Sequence, residues 1–144
     1  MIAVDTNILI YAHRTDSVWH EHAAACIRRL AEGTAPWLIP WPCLHEFLAI
    51  VTHPRVFKPP STPEEAVRQA DYWLESHSVV VGGESPMHWG TIRACVRAAK
   101  ITGPLVHDAR VAAICIDHEV EALWSADRDF SRFSALRVVN PLVV

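Results

Sequence analysis

Short apolar runs alternate along this chain with longer stretches of helical period. Ile2–Val4, Trp37–Ile39, Val79–Val81, Ala122–Trp124 and Arg137–Val139 are rich in β-branched and aromatic residues without in–out alternation. They read as strands covered on both faces. Leu44, Phe47, Leu48 and Val51 share one helical stripe, and Val111 to Ile116 is apolar all round, as expected of a helix buried on most sides. Thr62-Pro63-Glu64-Glu65 predicts a helix start, with an N-cap, a proline at the first position and a capping-box glutamate at the third. Ser85-Pro86 predicts a similar opening for a helix over Met87–Lys100, with Gly103 following its end. The prolines of Lys58-Pro59-Pro60-Ser61-Thr62-Pro63 are too dense for a helix and predict a loop. Strands interleaved with helices predict an α/β fold: three layers, with a mainly parallel central sheet of about five strands.

Length and composition narrow the picture. The 144 residues suit one domain spanning 1–144, without repeat or linker. At 51% hydrophobic and 20% charged residues the chain is not disordered. No apolar run approaches the ~20 residues that cross a bilayer. The apolar start is interrupted by Asp5 and lacks the basic flank of a secretory signal. The expectation is a cytosolic protein without membrane contact. Cys26, Cys43, Cys95 and Cys115 are scattered with no C-x-x-C pair, which predicts four buried free thiols. The six tryptophans are expected mostly in the core, with one or two marking a partner surface. The formal net charge is −3. A protein that holds nucleic acid through its phosphates is normally basic, so this one would need a local basic surface or a bound cation.

In open parallel sheets, ligands bind outside the carboxyl ends of the strands. Asp5 directly follows the first strand, Asp127 and Asp129 follow the fourth, Asp108 stands at the front of the apolar helix, and Glu46 lies one turn into the helix after the second strand. Taken singly, each has a local reading: Asp5 and Asp108 as N-caps, Asp127 and Asp129 as turn formers, Glu46 as a solvated helix charge. Together, five carboxylates from four segments are expected to converge on one sheet edge. A hard divalent cation satisfies such a group, because Mg²⁺ takes a few carboxylates and keeps its waters.

Val4-Asp5-Thr6-Asn7-Ile8-Leu9-Ile10-Tyr11-Ala12, then Glu46, then Val106-His107-Asp108-Ala109 with Ala112-Ala113, then Ser125-Ala126-Asp127-Arg128-Asp129-Phe130 follow in order along nearly the whole chain. In these motifs, and in Asn140-Pro141-Leu142, the chain resembles the PIN-domain ribonucleases, and among them the VapC toxins of bacterial toxin–antitoxin pairs. The resemblance implies an acidic catalytic site on Asp5, Glu46, Asp108 and Asp127. Its metal ligands would be Asp5, Asp108, Asp127 and the accessory Asp129, supported by Thr6, Asn7 and Ser125. It further implies Mg²⁺, replaceable by Mn²⁺, hydrolysis of an RNA phosphodiester to 5′-phosphate and 3′-hydroxyl ends, a small antitoxin partner of the VapB type, and a homodimer. Arg14, Arg93, Arg97, Lys100, Arg110, Arg128 and Arg132 are candidates to frame an RNA groove. The loop Arg55–Pro60 and Trp41 are candidates for the antitoxin surface.

Other chemistry reads poorly. His20-Glu21-His22 places its histidines on different helix faces, unsuited to zinc. Gly82-Gly83 reads as a turn, and no phosphate-binding glycine loop occurs. A haloacid-dehalogenase-type phosphatase needs a second aspartate where Asn7 stands and a lysine near the later acids, and the only lysines are Lys58 and Lys100. The remaining alternative is a catalytically silent PIN-like module that binds RNA or protein. Loss of acids would mark it, and all are present.

Overall fold

The first strand, β1 (Ile2–Val4), runs straight into a helix, α1 (Thr6–His13), and this junction organises the molecule. The computed structural model describes residues 1–143. After α1 come α2 (His20–Glu32), β2 (Trp37–Pro40), α3 (Trp41–Val51), α4 (Pro63–Leu74), β3 (Val79–Gly82), α5 (His88–Ala99), α6 (Leu105–Asp117), β4 (Ala122–Trp124), a 3₁₀ turn (Arg128–Arg132) and β5 (Val138–Val139). The five strands form one sheet in the order β3-β2-β1-β4-β5, parallel throughout. Ile2 pairs with Trp37 on one side and Ala122 on the other. The chain winds outward from β1 to β3, then returns to β4 on the opposite side. The crevice where such a sheet binds ligands therefore opens beyond the carboxyl ends of β1 and β4.

Helices flank the sheet in two groups, with α1 packed on α2 and α3, α4 on α3, and α5 on α6. The core joins Val4, Ile8, Leu38, Phe47, Ala112 and Leu123, and residues 111–115 of α6 are buried as expected. The α4 capping box is complete: Thr62 accepts from the Glu65 N–H, and the Glu65 carboxylate accepts from the Thr62 N–H. At the last residue of β3, a Cβ on Gly82 would stand 2.8 Å from the His118 ring and from Leu38. The absent side chain lets the strand end pass close to the C-terminal cap of α6.

Several expectations are corrected. The helix expected from Met87 begins at His88, because the Ser85 hydroxyl is turned to Asp117 (2.8 Å) while accepting from the Met87 N–H (3.1 Å). Its end agrees with the expectation to within a residue: the last helical residue is Ala99, and Lys100 caps it in the left-handed region at φ 53°. Asp108 is not the N-cap of α6, which starts three residues earlier at Leu105 after the turn at Gly103-Pro104. Of the tryptophans only Trp37 and Trp73 are buried, whereas Trp19, Trp41 and Trp89 are exposed. Cys95 is half-buried rather than buried, because α5 rides on the outside of α6 and buries no side chain completely. Among the described residues no helix is long and apolar enough to cross a membrane.

Candidate metal centre

Asp5 leaves β1 at the N-cap position of α1, yet its side chain makes no capping bond. Instead it turns toward β4. Asp5 Oδ2 accepts from the Ser125 hydroxyl (2.7 Å) and from Asn7 Nδ2 (3.3 Å), and Oδ1 accepts from the Cys43 thiol (3.5 Å). The Asp5 N–H donates to the Trp124 carbonyl at 3.0 Å, which locks the ends of β1 and β4 together. Asn7 completes the clasp, its Oδ1 accepting from the Ala126 N–H at 3.2 Å. Ser125 Oγ also accepts from the Asp127 N–H (3.0 Å), and Asp127 Oδ1 accepts from the Asp129 N–H (2.9 Å). A continuous hydrogen-bonded line thus fixes Asp5, Asp127 and Asp129 relative to one another. Asp127 is both the turn former expected of an isolated aspartate and part of an acidic group.

Asp108, Asp127 and Asp129 each present a carboxylate oxygen within 4.8 Å of the others. Two oxygens that both lie about 2.1 Å from one Mg²⁺ can stand at most ~4.2 Å apart. Neighbouring ligands of an octahedral ion stand closer still, ~3 Å apart, so side-chain rotation draws the three oxygens in when an ion binds, and hard oxygen donors are what Mg²⁺ and Mn²⁺ take. The residues fit a divalent cation. Asp5 is not one of this trio. Together with Glu46, Asp108 and Asp127 it walls a pocket of about 100 Å³. Glu46 is exposed on α3, and its Oε2 accepts from the Thr6 hydroxyl at 3.2 Å. A larger cavity of about 560 Å³ adjoins, lined by Asp5, Glu46, Asp108 and Asp129 with His45, His107 and Arg110.

Electrostatics register the crowding. Burial, partly offset by the Ser125 hydrogen bond, pushes Asp5 up to about 6 from its ordinary 3.8. Asp108 is likewise pushed up to about 6, first by burial and then by the charges of Asp127, Asp5, Asp129 and Glu46. Its carboxyl thus feels all four other acids. Of these five acids only Asp129 has a basic partner among the described residues, Arg132 at 3.6 Å.

Of the other basic residues singled out from the sequence, Arg110 lines the larger cavity. Arg14 is committed elsewhere: it pairs with Asp16, donates to Ser61 and the Pro59 carbonyl, and covers Phe57. Arg93 and Arg97 lie exposed on α5 and Lys100 just past its end, and none of them lines either acidic cavity. Sequence reading missed Cys43, whose α3 position one turn before Glu46 was the available signal.

The sequence model of the PIN domain matches residues 2–136. Ribonuclease VapC48 of Mycobacterium tuberculosis is 31% identical over 137 residues, covering 95% of this chain and 94% of that protein. VapC ribonuclease Mb2897 of Mycobacterium bovis is 34% identical over 143 residues, covering 99% and 96%. The chain belongs to the VapC branch of the PIN-domain family. Solved structures agree on the PIN fold. VapC20 of Mycobacterium tuberculosis, described as a sarcin–ricin loop cleaving toxin, superposes with a TM-score of 0.65 at 19% identity, over 91% of this chain and 93% of that one. VapBC2 from Rickettsia felis, bound to a promoter DNA fragment, gives 0.66 at 19% identity over 96% and 98%.

In this PIN domain the support of Asp5 is testable. Ser125→Ala removes a donor to Asp5 and an acceptor for the Asp127 N–H, both in buried surroundings. It is expected to destabilise the fold by about 1–3 kcal/mol. It should also push the Asp5 carboxyl further up, since that hydrogen bond is the largest influence holding it down. Urea denaturation reads the first effect. Carboxyl NMR titration reads the second, and an unmoved Asp5 would remove Ser125 from its support.

Proposed function

We propose that this PIN domain is the toxin of a type II toxin–antitoxin pair, an endoribonuclease whose activity depends on a divalent cation held by Asp108, Asp127 and Asp129. The observation that carries the reading is the convergence of five acids from four segments at the switch point of the sheet. The ribonuclease names of relatives at 31–34% identity over nearly the full chain support it. The toxin–antitoxin structures among its fold neighbours support the partner, a VapB-type antitoxin. Mg²⁺ is the proposed ion, with Mn²⁺ as a substitute, in a cytoplasmic protein that forms a homodimer.

Asp108, Asp127 and Asp129 would hold the cation, which would supply Lewis acidity toward water and the attacked phosphate. The protein's own groups do the rest. Ser125 and Asn7 hold Asp5 in one orientation. Thr6 orients Glu46 at the rim, where it adds a fourth acid to the catalytic set of Asp5, Asp108 and Asp127. Near neutral pH and without an ion, Asp5 and Asp108 retain part of their protons. Ion binding and proton release are therefore coupled.

The test is incubation of pure protein with total RNA in Mg²⁺, Mn²⁺ or excess EDTA, followed by mapping of the new ends. Cleavage in Mg²⁺ that stops in EDTA and leaves 5′-phosphates is expected. Undiminished cleavage in EDTA would rule out the metal mechanism. Absence of cleavage in any metal would favour the silent binding module.

A further inference from the structure

An acid-lined pocket repels the phosphates that it is to receive. Among the described residues, a single guanidinium or ammonium group lines either acidic cavity, that of Arg110 on α6. Its setting is specific. Glu84, in the loop between β3 and α5, accepts a hydrogen bond from Arg110 Nε, and the two form an ion pair. Glu84 spends its charge on Arg110 and lies outside the lining of both acidic cavities. Only Nε is engaged by protein among the described residues, and the side chain is 41% exposed. The edge formed by the two terminal nitrogens is left open. A guanidinium held by one edge presents the other as a rigid fork that matches two phosphate oxygens.

Local scaffolding fixes this posture. On α6, Arg110 and Asp117 are seven residues apart, two turns along the same face. Arg110 holds Glu84, while Asp117 accepts from Ser85 (2.8 Å) and Thr91 (2.6 Å). The loop that carries Glu84 is thus fastened to α6 at two points, and Glu84 cannot follow the arginine away from the pocket.

We propose that Arg110, positioned by Glu84, grips a backbone phosphate of the RNA beside the acidic centre. The proposal rests on the ribonuclease reading and adds to it the residue that draws substrate into an otherwise negative site. A mere tether between α6 and the loop is the competing role. The two roles differ in what salt does. A phosphate contact releases counterions, so its loss lowers the slope of log affinity against log salt by about 0.7 for a single strand. A tether has no such effect.

The experiment compares wild type, Arg110→Gln, Arg110→Lys and Glu84→Gln with a fluorescein-labelled single-stranded RNA. Cleavage kinetics are run in Mg²⁺, and binding anisotropy in EDTA, from about 50 to about 200 mM salt. Arg110→Gln is expected to raise KM about tenfold, with a smaller change in kcat, and to flatten the salt slope by roughly 0.7. The Mg²⁺-induced rise in Tm should stay as in wild type. Arg110→Lys should restore the slope but only part of the affinity, because an ammonium keeps the charge without the fork. Glu84→Gln should keep the slope and raise KM a few-fold. Equal losses of Tm in Arg110→Gln and Glu84→Gln with an unchanged slope and KM would overturn the proposal and leave the tether. A wild type that binds RNA without cleaving it would sink the ribonuclease reading instead, and the anisotropy slope would still decide for or against Arg110.

Discussion

Asp108→Asn is expected to reduce RNA cleavage by two orders of magnitude or more while leaving the fold intact. Asparagine has nearly the shape of aspartate, and Asp108 lies inside α6 rather than at its cap, so no helix start is lost. What is lost is one of three carboxylates whose oxygens lie within 4.8 Å of one another. Losing a single group that stabilises transition-state charge typically costs about 10²–10³ in rate. Two further effects should accompany this loss. The metal-free variant should be somewhat more stable than wild type at neutral pH, because one charge leaves a crowded site. Added Mg²⁺ should no longer raise Tm, whereas in wild type saturation at 100 times Kd contributes about 2.7 kcal/mol. Melting curves across a Mg²⁺ titration read both, with circular dichroism as the check on folding. A variant that retains wild-type cleavage and the wild-type metal shift would remove Asp108 from the site.

The second large effect is on stability against pH in EDTA. Asp5 and Asp108 are pushed up to about 6 in the folded protein, from 3.8. Between those values the folded state holds more protons than the unfolded state, so stability falls as pH rises. The contribution is fully present below about 3.8, and it is lost as pH passes through about 6. For the buried Asp5, the difference corresponds to roughly 3 kcal/mol at neutral pH. Asp108 is more exposed and adds less, because solvent screens it. Glu84, Glu65 and Asp16 are lowered by the Arg110 hydrogen bond, the Thr62 backbone and the Arg14 hydrogen bond respectively. These carboxylates act with the opposite sign and below about 4.5, outside the window in question. Urea unfolding from pH 4.5 to 8 should therefore show metal-free stability declining, with Mg²⁺ cancelling much of the decline and Asp5→Asn flattening it. Metal-free stability that rises through this window would contradict the placement of Asp5.

The inner strands were legible because a parallel strand enclosed on both faces writes itself as an unbroken apolar run; the edge strand β3 keeps such a run although Val80 is exposed, so full cover was not borne out there. Ile2–Val4 and Ala122–Trp124 match residue for residue, while β2 and β3 extend one residue further and β5 is one shorter. The acids were legible for a related reason: a residue that follows a buried strand must sit at the sheet's edge. Partners distant in sequence left no local trace. Nothing around Ser85 signals that its hydroxyl serves Asp117 instead of opening α5, and nothing around Glu84 names Arg110. The start of α6 did have a signal, since Gly103-Pro104 is a turn before a helix, and reading it would have placed Asp108 inside that helix. Cys43 was read as packing, and its role against Asp5 emerges only when α3 is laid beside the end of β1.

Because α5 buries no side chain completely, the molecule has two regimes of local opening. Amides in β1 and in the middle of α6 are expected to exchange with solvent only when the sheet itself comes apart, since their neighbours are enclosed. Ile92, Cys95, Val96 and Ala99 are only partly buried against the core, so releasing α5 forfeits less enclosed apolar surface than parting the sheet, and Thr91 adds a polar hold on Asp117 of α6. Pro104, Leu105 and His107, which follow α5 and wall the larger cavity, lie on the border between the two regimes. The carboxylates are mounted on the part that opens last, and one wall of the chamber through which a long polymer must enter and leave adjoins the part that opens first.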